Sequence, residues 1–133
     1  MLKIDTGFKT INGNNEVIFN YLSNIDNLKD LMPEQVVNWT GDLDSCRYTI
    51  KGMAEIGMRA AERKPNSLLL IKSDGKVPFN FDLKIVIESL SESTSQVKLD
   101  FEGDMNMMFK MMAEKPLTNF FQFQLSALEK KFS

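Results

Sequence analysis

Residues 105–133 read MNMMFKMMAEKPLTNFFQFQLSALEKKFS, and the reading of this stretch decides the fold. It has the make-up of one long helix with Pro116 near its middle. Five of the nine methionines fall between Met105 and Met112, and Phe120, Phe121 and Phe123 follow the proline. Such a helix should run from about Asn106 to Lys130, about 37 Å at 1.5 Å per residue. Before the proline its apolar stripe follows Met105, Met108, Phe109 and Met112; after it, Leu117, Phe120, Phe121 and Leu128. At about 100° per residue the second stripe is turned from the first by roughly a third of a turn. Proline also removes one helical N–H and crowds the preceding turn. A kink or local unwinding between Met112 and Leu117 is therefore expected, with the methionine half free to lift as a lid or fixed along a curved sheet.

Upstream of this helix the period is mostly two, the alternation of β-strand. Residues 2–11 read as a first strand with Leu2, Ile4, Thr6 and Phe8 on one face. Asn12-Gly13-Asn14 breaks it and supplies capping oxygens. A short helix follows at 15–23, with Val17, Ile18, Tyr21 and Leu22 as its stripe. A second spans 26–32, capped by Asp26 and closed by Pro33. Six further strands are expected at 35–41, 45–52, 56–64, 67–73, 78–89 and 95–104. Asp74-Gly75 between two apolar runs reads as a tight hairpin. Short joints make all these strands antiparallel neighbours.

Parity assigns the faces. Phe79, Phe81, Leu83, Ile85 and Ile87 share one face, and Val97, Leu99 and Phe101 face the same way. Cys46, Tyr48 and Ile50 oppose Arg47, Thr49 and Lys51. Ile56, Met58 and Ala60 oppose Arg59 and Arg63, and the same parity turns Glu62 inward. Leu68–Ile71 is apolar on both faces and has no readable parity. The long helix is the one large element left to cover the apolar face of the sheet.

Composition narrows the function. At 133 residues the chain is one domain, 1–133, large enough for a substantial core. Net charge is −2 with mixed signs, so the basic stripe of a nucleic-acid binder is missing. No 18-residue apolar run reads as a membrane span, and the start, MLKIDTGFKTI, lacks a signal-peptide core. A cytoplasmic location is the expectation. Cys46 is the single cysteine and there is no histidine. That removes the commonest general base, the usual metal ligands and the usual triads. No metal, cofactor or catalytic set is expected.

The order of strand, two short helices, six strands and one long helix resembles the START-like, helix-grip fold of the SRPBCC superfamily. That superfamily includes birch-pollen-allergen relatives and polyketide cyclase-like proteins. The local resemblance lies at Glu16-Val17-Ile18-Phe19-Asn20-Tyr21-Leu22-Ser23-Asn24 and Leu31-Met32-Pro33, with Asn24 where an Asp is more usual. Residues 111–121, MMAEKPLTNFF, resemble the last helix of small bacterial members. The resemblance implies an α+β fold: a curved, seven-stranded antiparallel sheet with two short helices after strand 1 and a long C-terminal helix packed across it. It also implies binding of lipids, sterols or polyketides, cyclase activity, or service as a partner-binding module. No catalytic residue carries over.

The leading expectation is a carrier or sensor for a small hydrophobic ligand held between sheet and helix. The lining residues would be Tyr48, Met58, Glu62, Phe81, Leu83, Leu99, Phe101, Met108, Met112 and Phe120. Flexible, polarizable methionines suit ligands of variable shape, and equally serve as core filler or as an exposed docking surface. Glu62 with Tyr48 would orient a ligand, or move a proton in a cyclase- or hydrolase-type enzyme. Trp39 would pack a core edge and Cys46 would be a small buried hydrophobe. A protein-interaction module without ligand is the third expectation. Ligand identity, protein partners and oligomeric state are not legible.

Overall fold

The computed structural model describes residues 1–133. Its strands are β1 (Leu2–Asp5), β2 (Lys9–Ile11), β3 (Val36–Gly41), β4 (Ser45–Ile50), β5 (Ala54–Lys64), β6 (Leu68–Ser73), β7 (Phe81–Ser89) and β8 (Ser95–Gly103). The helices are α1 (Asn15–Ser23), a 3₁₀ segment Ile25–Leu31, and α2 (Met107–Lys131). All strand pairs are antiparallel, in the order β1-β8-β7-β6-β5-β4-β3, with β2 also on β8. This is the α+β, helix-grip arrangement: one open curved sheet and one long helix over its inner face.

Three β-bulges shape that face, and the first and third overturn a parity argument. The first strand is broken at Gly7, whose φ is +75°. Asp5 pairs with Asp100 and Lys9 with Val97, so four steps on one strand face three on the other. The extra residue swaps the sides. Ile11 is therefore buried and Phe8 is 41% exposed, contrary to the uninterrupted strand expected. Thr6 bridges the break: its N–H donates to Leu99 O and its Oγ1 accepts from Leu99 N, both at 3.0 Å.

The second bulge lies in β3, between the pairs Val37–Thr49 and Thr40–Arg47. Asn38 takes a positive φ of 56° there, a conformation asparagine tolerates. It turns Trp39 onto the Tyr48 ring on the inner face. The third lies in β5: Ala60 pairs with Ile71 but Glu62 with Leu70. Ala61 is the inserted residue, so Glu62 faces out, where Lys64 Nζ approaches it at 3.6 Å. Arg63 comes round instead, donating to Ser23 O and Leu43 O at 2.9 Å and pairing with Asp44 at 3.1 Å. It is a clamp between β5, the end of α1 and the β3–β4 turn, not part of a solvated face.

Local capping explains the short helices. Asn14 Oδ1 accepts from Val17 N at 2.9 Å and starts α1. Ile18, Phe19 and Leu22 are its buried residues, while Val17 points to solvent. Asn24, not Asp26, caps the 3₁₀ segment, accepting from Asp26 N at 3.2 Å. Asp74-Gly75 is not a two-residue hairpin, since β6 and β7 are joined by residues 74–80. Asp74 N bonds Gly57 O at 2.8 Å, and a Cβ on Gly57 would lie 2.4 Å from Asp74 O. Gly57 thus lets the loop fold back onto β5.

α2 runs unbroken from Met107 to Lys131 across Pro116, with Asn106 as cap accepting from Phe109 N at 2.8 Å. The expected unwinding is absent. Ala113, Leu117, Phe121, Leu125 and Leu128 form one buried stripe that crosses the proline without changing face. The two-stripe expectation failed because it placed the methionines on the core side. Pro116 leaves the Met112 carbonyl without its helical donor, at a residue open to water.

Candidate ligand-binding site

The space between sheet and α2 has an aliphatic end and an aromatic end. At the aliphatic end a void of about 20 Å³ lies among Leu22, Leu28, Leu31, Ile85, Leu99 and Leu128. At the aromatic end one of about 30 Å³ lies among Tyr48, Ile56, Phe81, Phe101 and Phe121. Each holds about one or two waters at most. Met58, Leu83 and Gln124 line both and form the partition. The aromatic end is a cluster of rings: Phe101 to Phe121 at 5.0 Å between centroids, Phe81 to Phe101 at 5.6 Å, and Phe79 to Phe109 at 5.6 Å.

Of the residues expected to line a cavity, Tyr48, Met58, Phe81, Leu83, Leu99 and Phe101 are brought together on the inner sheet face, all buried. Phe120 is half-buried and stands edge-on to Phe121 at 5.6 Å. Glu62, Met108 and Met112 are elsewhere. Glu62 is turned out by the β5 bulge. Met108 and Met112 are 74% and 72% exposed on the outer side of α2, beside Met107 and Met111 at 72% and 75%.

Two polar side chains point into the voids. Tyr48 stacks on Trp39, with centroids 5.3 Å apart and planes 13° apart. Trp39 is fixed by its own donation, Nε1 to Asp26 Oδ1 at 2.8 Å. The indole N–H is satisfied, and the ring serves as a wall behind Tyr48. Burial pushes the Tyr48 phenol far above its ordinary value, with Cys46 next to it adding to the shift and no hydrogen bond relieving it. The Cys46 thiol is itself pushed up to about 12, mainly by burial and then by Asp26 and Asp42. Both groups stay neutral at physiological pH, so Tyr48 offers a ligand an O–H donor and acceptor.

The second is Gln124 on α2, which sequence reasoning missed. It is 6% exposed, and its one side-chain hydrogen bond is the weak one from Nε2 to Met32 Sδ at 3.3 Å. The signal was its spacing, three residues after Phe121 and seven after Leu117, a polar residue on the core stripe of the helix. Among the residues around the voids, Tyr48 and Gln124 are the polar ones, and no carboxylate is present.

Outside the aromatic end an open cleft of about 870 Å³ lies between Pro33–Gln35 and the β4–β5 turn on one side and Lys115–Phe123 on the other. Ile50, Leu117 and Phe120 line both this cleft and the aromatic void. One layer of side chains thus separates outside from inside. No helix is long and apolar enough to cross a membrane, and no cluster of His, Cys, Asp or Glu that could hold a metal is found.

No family model matches the chain, and no curated protein matches it. Solved structures do. XoxI from Bacillus cereus superposes with a TM-score of 0.78 at 16% identity, covering 99% of this chain and 96% of that one. A START superfamily protein from Mycobacterium smegmatis gives 0.68 at 14% identity, over 98% and 96% of the two chains. BexL, a di-domain ARO/CYC protein of the BE-7585A biosynthetic pathway, gives 0.75 at 13% identity, with 98% of this chain on 46% of that one. Identities this low speak to architecture alone, and that architecture is the START-like, helix-grip fold.

Proposed function

We propose that the protein binds a small hydrophobic ligand, lipid-, sterol- or polyketide-like, between the sheet and α2, as a carrier or sensor. The observation that carries this reading is the pair Tyr48 and Gln124. Two buried polar side chains with unspent hydrogen-bonding capacity face voids in an otherwise apolar interior. Buried polar groups in folded proteins are normally paired, and a ligand site is typically an apolar pocket with a few placed polar groups. Affinity would come from apolar burial, at about 25 cal/mol per Å², and orientation from the two polar side chains. The voids are too small for such a ligand, so binding requires α2 or Phe120 to give way. The START superfamily and ARO/CYC neighbours support a ligand-binding or cyclase-like fold. The cyclase- or hydrolase-type alternative loses its carboxylate, since Glu62 lies on the outer face.

Calorimetric titration with fatty acids, sterols and aromatic polyketides tests this. At least one should bind tighter than about 1 mM, roughly −4 kcal/mol. Tyr48→Phe should weaken that ligand by about 1 kcal/mol while leaving the fold's stability unchanged. A panel with no binder sinks the reading.

The exposed methionines favour a second reading, an interaction module that uses the outer side of residues 107–112. It takes over if the panel fails and Met108→Lys with Met112→Lys abolishes a partner complex isolated from the native host.

A further inference from the structure

The outer cleft differs from the interior in charge. Lys51 from the β4–β5 turn and Lys115 from α2 line it on opposite walls, with Glu34 as its one acidic residue. Two cations against one anion leave the lining at +1, on a chain whose net charge is −2. The ion pairs of the surface engage ten pairs of side chains, and none of them includes Lys51, Lys115 or Glu34. The lysines are uncommitted, at the rim of a cleft whose floor is apolar. Positive charge in a partly enclosed cleft concentrates anions. An anion at the rim keeps part of its hydration, so the cost of full burial is avoided. The floor residues Ile50, Leu117 and Phe120 are also the outer wall of the aromatic void.

We infer that this cleft is the loading site for a single-chain amphiphile with an anionic head group. The head sits between Lys51 and Lys115, and the tail passes Ile50, Leu117 and Phe120 towards Tyr48 and Gln124. At about 870 Å³ the cleft falls within the size range of small-molecule sites. The inference rests on the hydrophobic-ligand reading and adds the head-group chemistry and the direction of approach. Phe120 is the side chain that must turn aside, since it is half-buried and held on one side by Phe121.

The test is calorimetry on the full chain with dodecanoate, dodecyl phosphate and dodecanol, each below its micelle-forming concentration, at low and high salt. At least one anion should bind tenfold or more tighter than the alcohol, with an advantage that shrinks as salt rises. Lys51→Glu combined with Lys115→Glu should remove that advantage and leave dodecanol binding unchanged. The ranking of the two anions tells a carboxylate head from a phosphate head. Equal affinity for anions and alcohol, or unchanged dodecanoate binding in the charge-reversed variant, overturns the head-group inference while the hydrophobic reading stands. No binding of any of the three, together with a panel that has no binder, overturns both.

Discussion

The two halves of α2 are about equally rich in large apolar side chains and meet opposite fates. Residues 107–116 carry four methionines and Phe109, yet the buried residue among them is Ala113. Residues 117–131 bury Leu117, Phe121, Gln124, Leu125 and Leu128. Angular position decides this, not hydrophobicity. At about 100° per residue, Ala113 lies about 40° from Leu117 around the helix axis, whereas Met108 lies about 180° away. The carboxyl half is therefore bolted to the sheet. The amino half is held by one small buried residue and a half-buried phenylalanine.

That contrast should appear most strongly in core truncation. Leu125→Ala and Phe121→Ala should each cost about 3–5 kcal/mol, because the first leaves a gap at the aliphatic end and the second a gap in the ring cluster that packed neighbours fill only in part. Met108→Ala and Met112→Ala should stay within about 0.5 kcal/mol. Urea denaturation of the four variants measures it. Comparable losses in both halves would mean the methionines are buried in solution, against another copy or another molecule.

Alkaline pH should sharpen the contrast, since Tyr48 lies under the carboxyl half and Cys46 is two residues along the same strand. The folded Cys46 thiol titrates at about 12 against an ordinary 9.0. The unfolded chain therefore sheds that proton first. Stability from the neutral thiol is complete below about pH 9 and is lost as pH rises towards 12, at about 1.4 kcal/mol per unit. Tyr48 is shifted in the same direction and adds to the loss above its ordinary value of 10.0. With no histidine in the chain, stability should be flat between about pH 5 and 8.5. On the acid side Asp26, held down first by the Trp39 N–H and then by Lys29, gives up its contribution as pH falls through its lowered value. Thermal melts across this range check the profile. A Cys46→Ser melt curve identical to wild type above pH 9 would remove the thiol from the account.

How much of this was legible in the sequence follows from what kind of order each part uses. The antiparallel succession of β3 to β8 and the inward sets on β4, β7 and β8 were legible, because short joints make neighbours and an unbroken period of two fixes every side chain once one is placed. The core-edge place of Trp39 was legible too, though not the bulge that sets it there; Glu62 and Phe8 were not. Each of these two lies at or just beyond a bulge, and a single inserted residue at Gly7 or Ala61 leaves composition unchanged while swapping the faces. The methionines misled for a related reason. At about 100° per residue the four at 107, 108, 111 and 112 lie within an arc of about 140°, a continuous apolar face that reads as core, while the true core position there is an alanine on the opposite side. Gln124 was hidden by its polarity. Its place on the Phe121–Leu125–Leu128 stripe was readable, but a glutamine there suggests a solvent face until the structure shows it between two voids.

The smallest expected effect is the one most specific to the amino half. Asn106 Oδ1 holds the first turn of α2 through the Phe109 amide. Asn106→Ala should cost about 1 kcal/mol, the usual worth of such a cap. Where that cost falls is the informative part. If residues 107–115 open separately from the rest, the loss is confined to their local opening, and the midpoint of global unfolding barely moves. Hydrogen exchange should then show amides at 110–115 exchanging faster in the variant, with those at 118–128 unchanged. In the wild type the first group should already exchange faster than the second, and a bound ligand should slow it. The amide missing at Pro116 marks the joint, because one rung of the helical ladder is absent there. Uniform protection from 110 to 128, shifted as a block by Asn106→Ala, would show α2 to be a single cooperative unit and would leave entry past Phe120 to side-chain rotation alone.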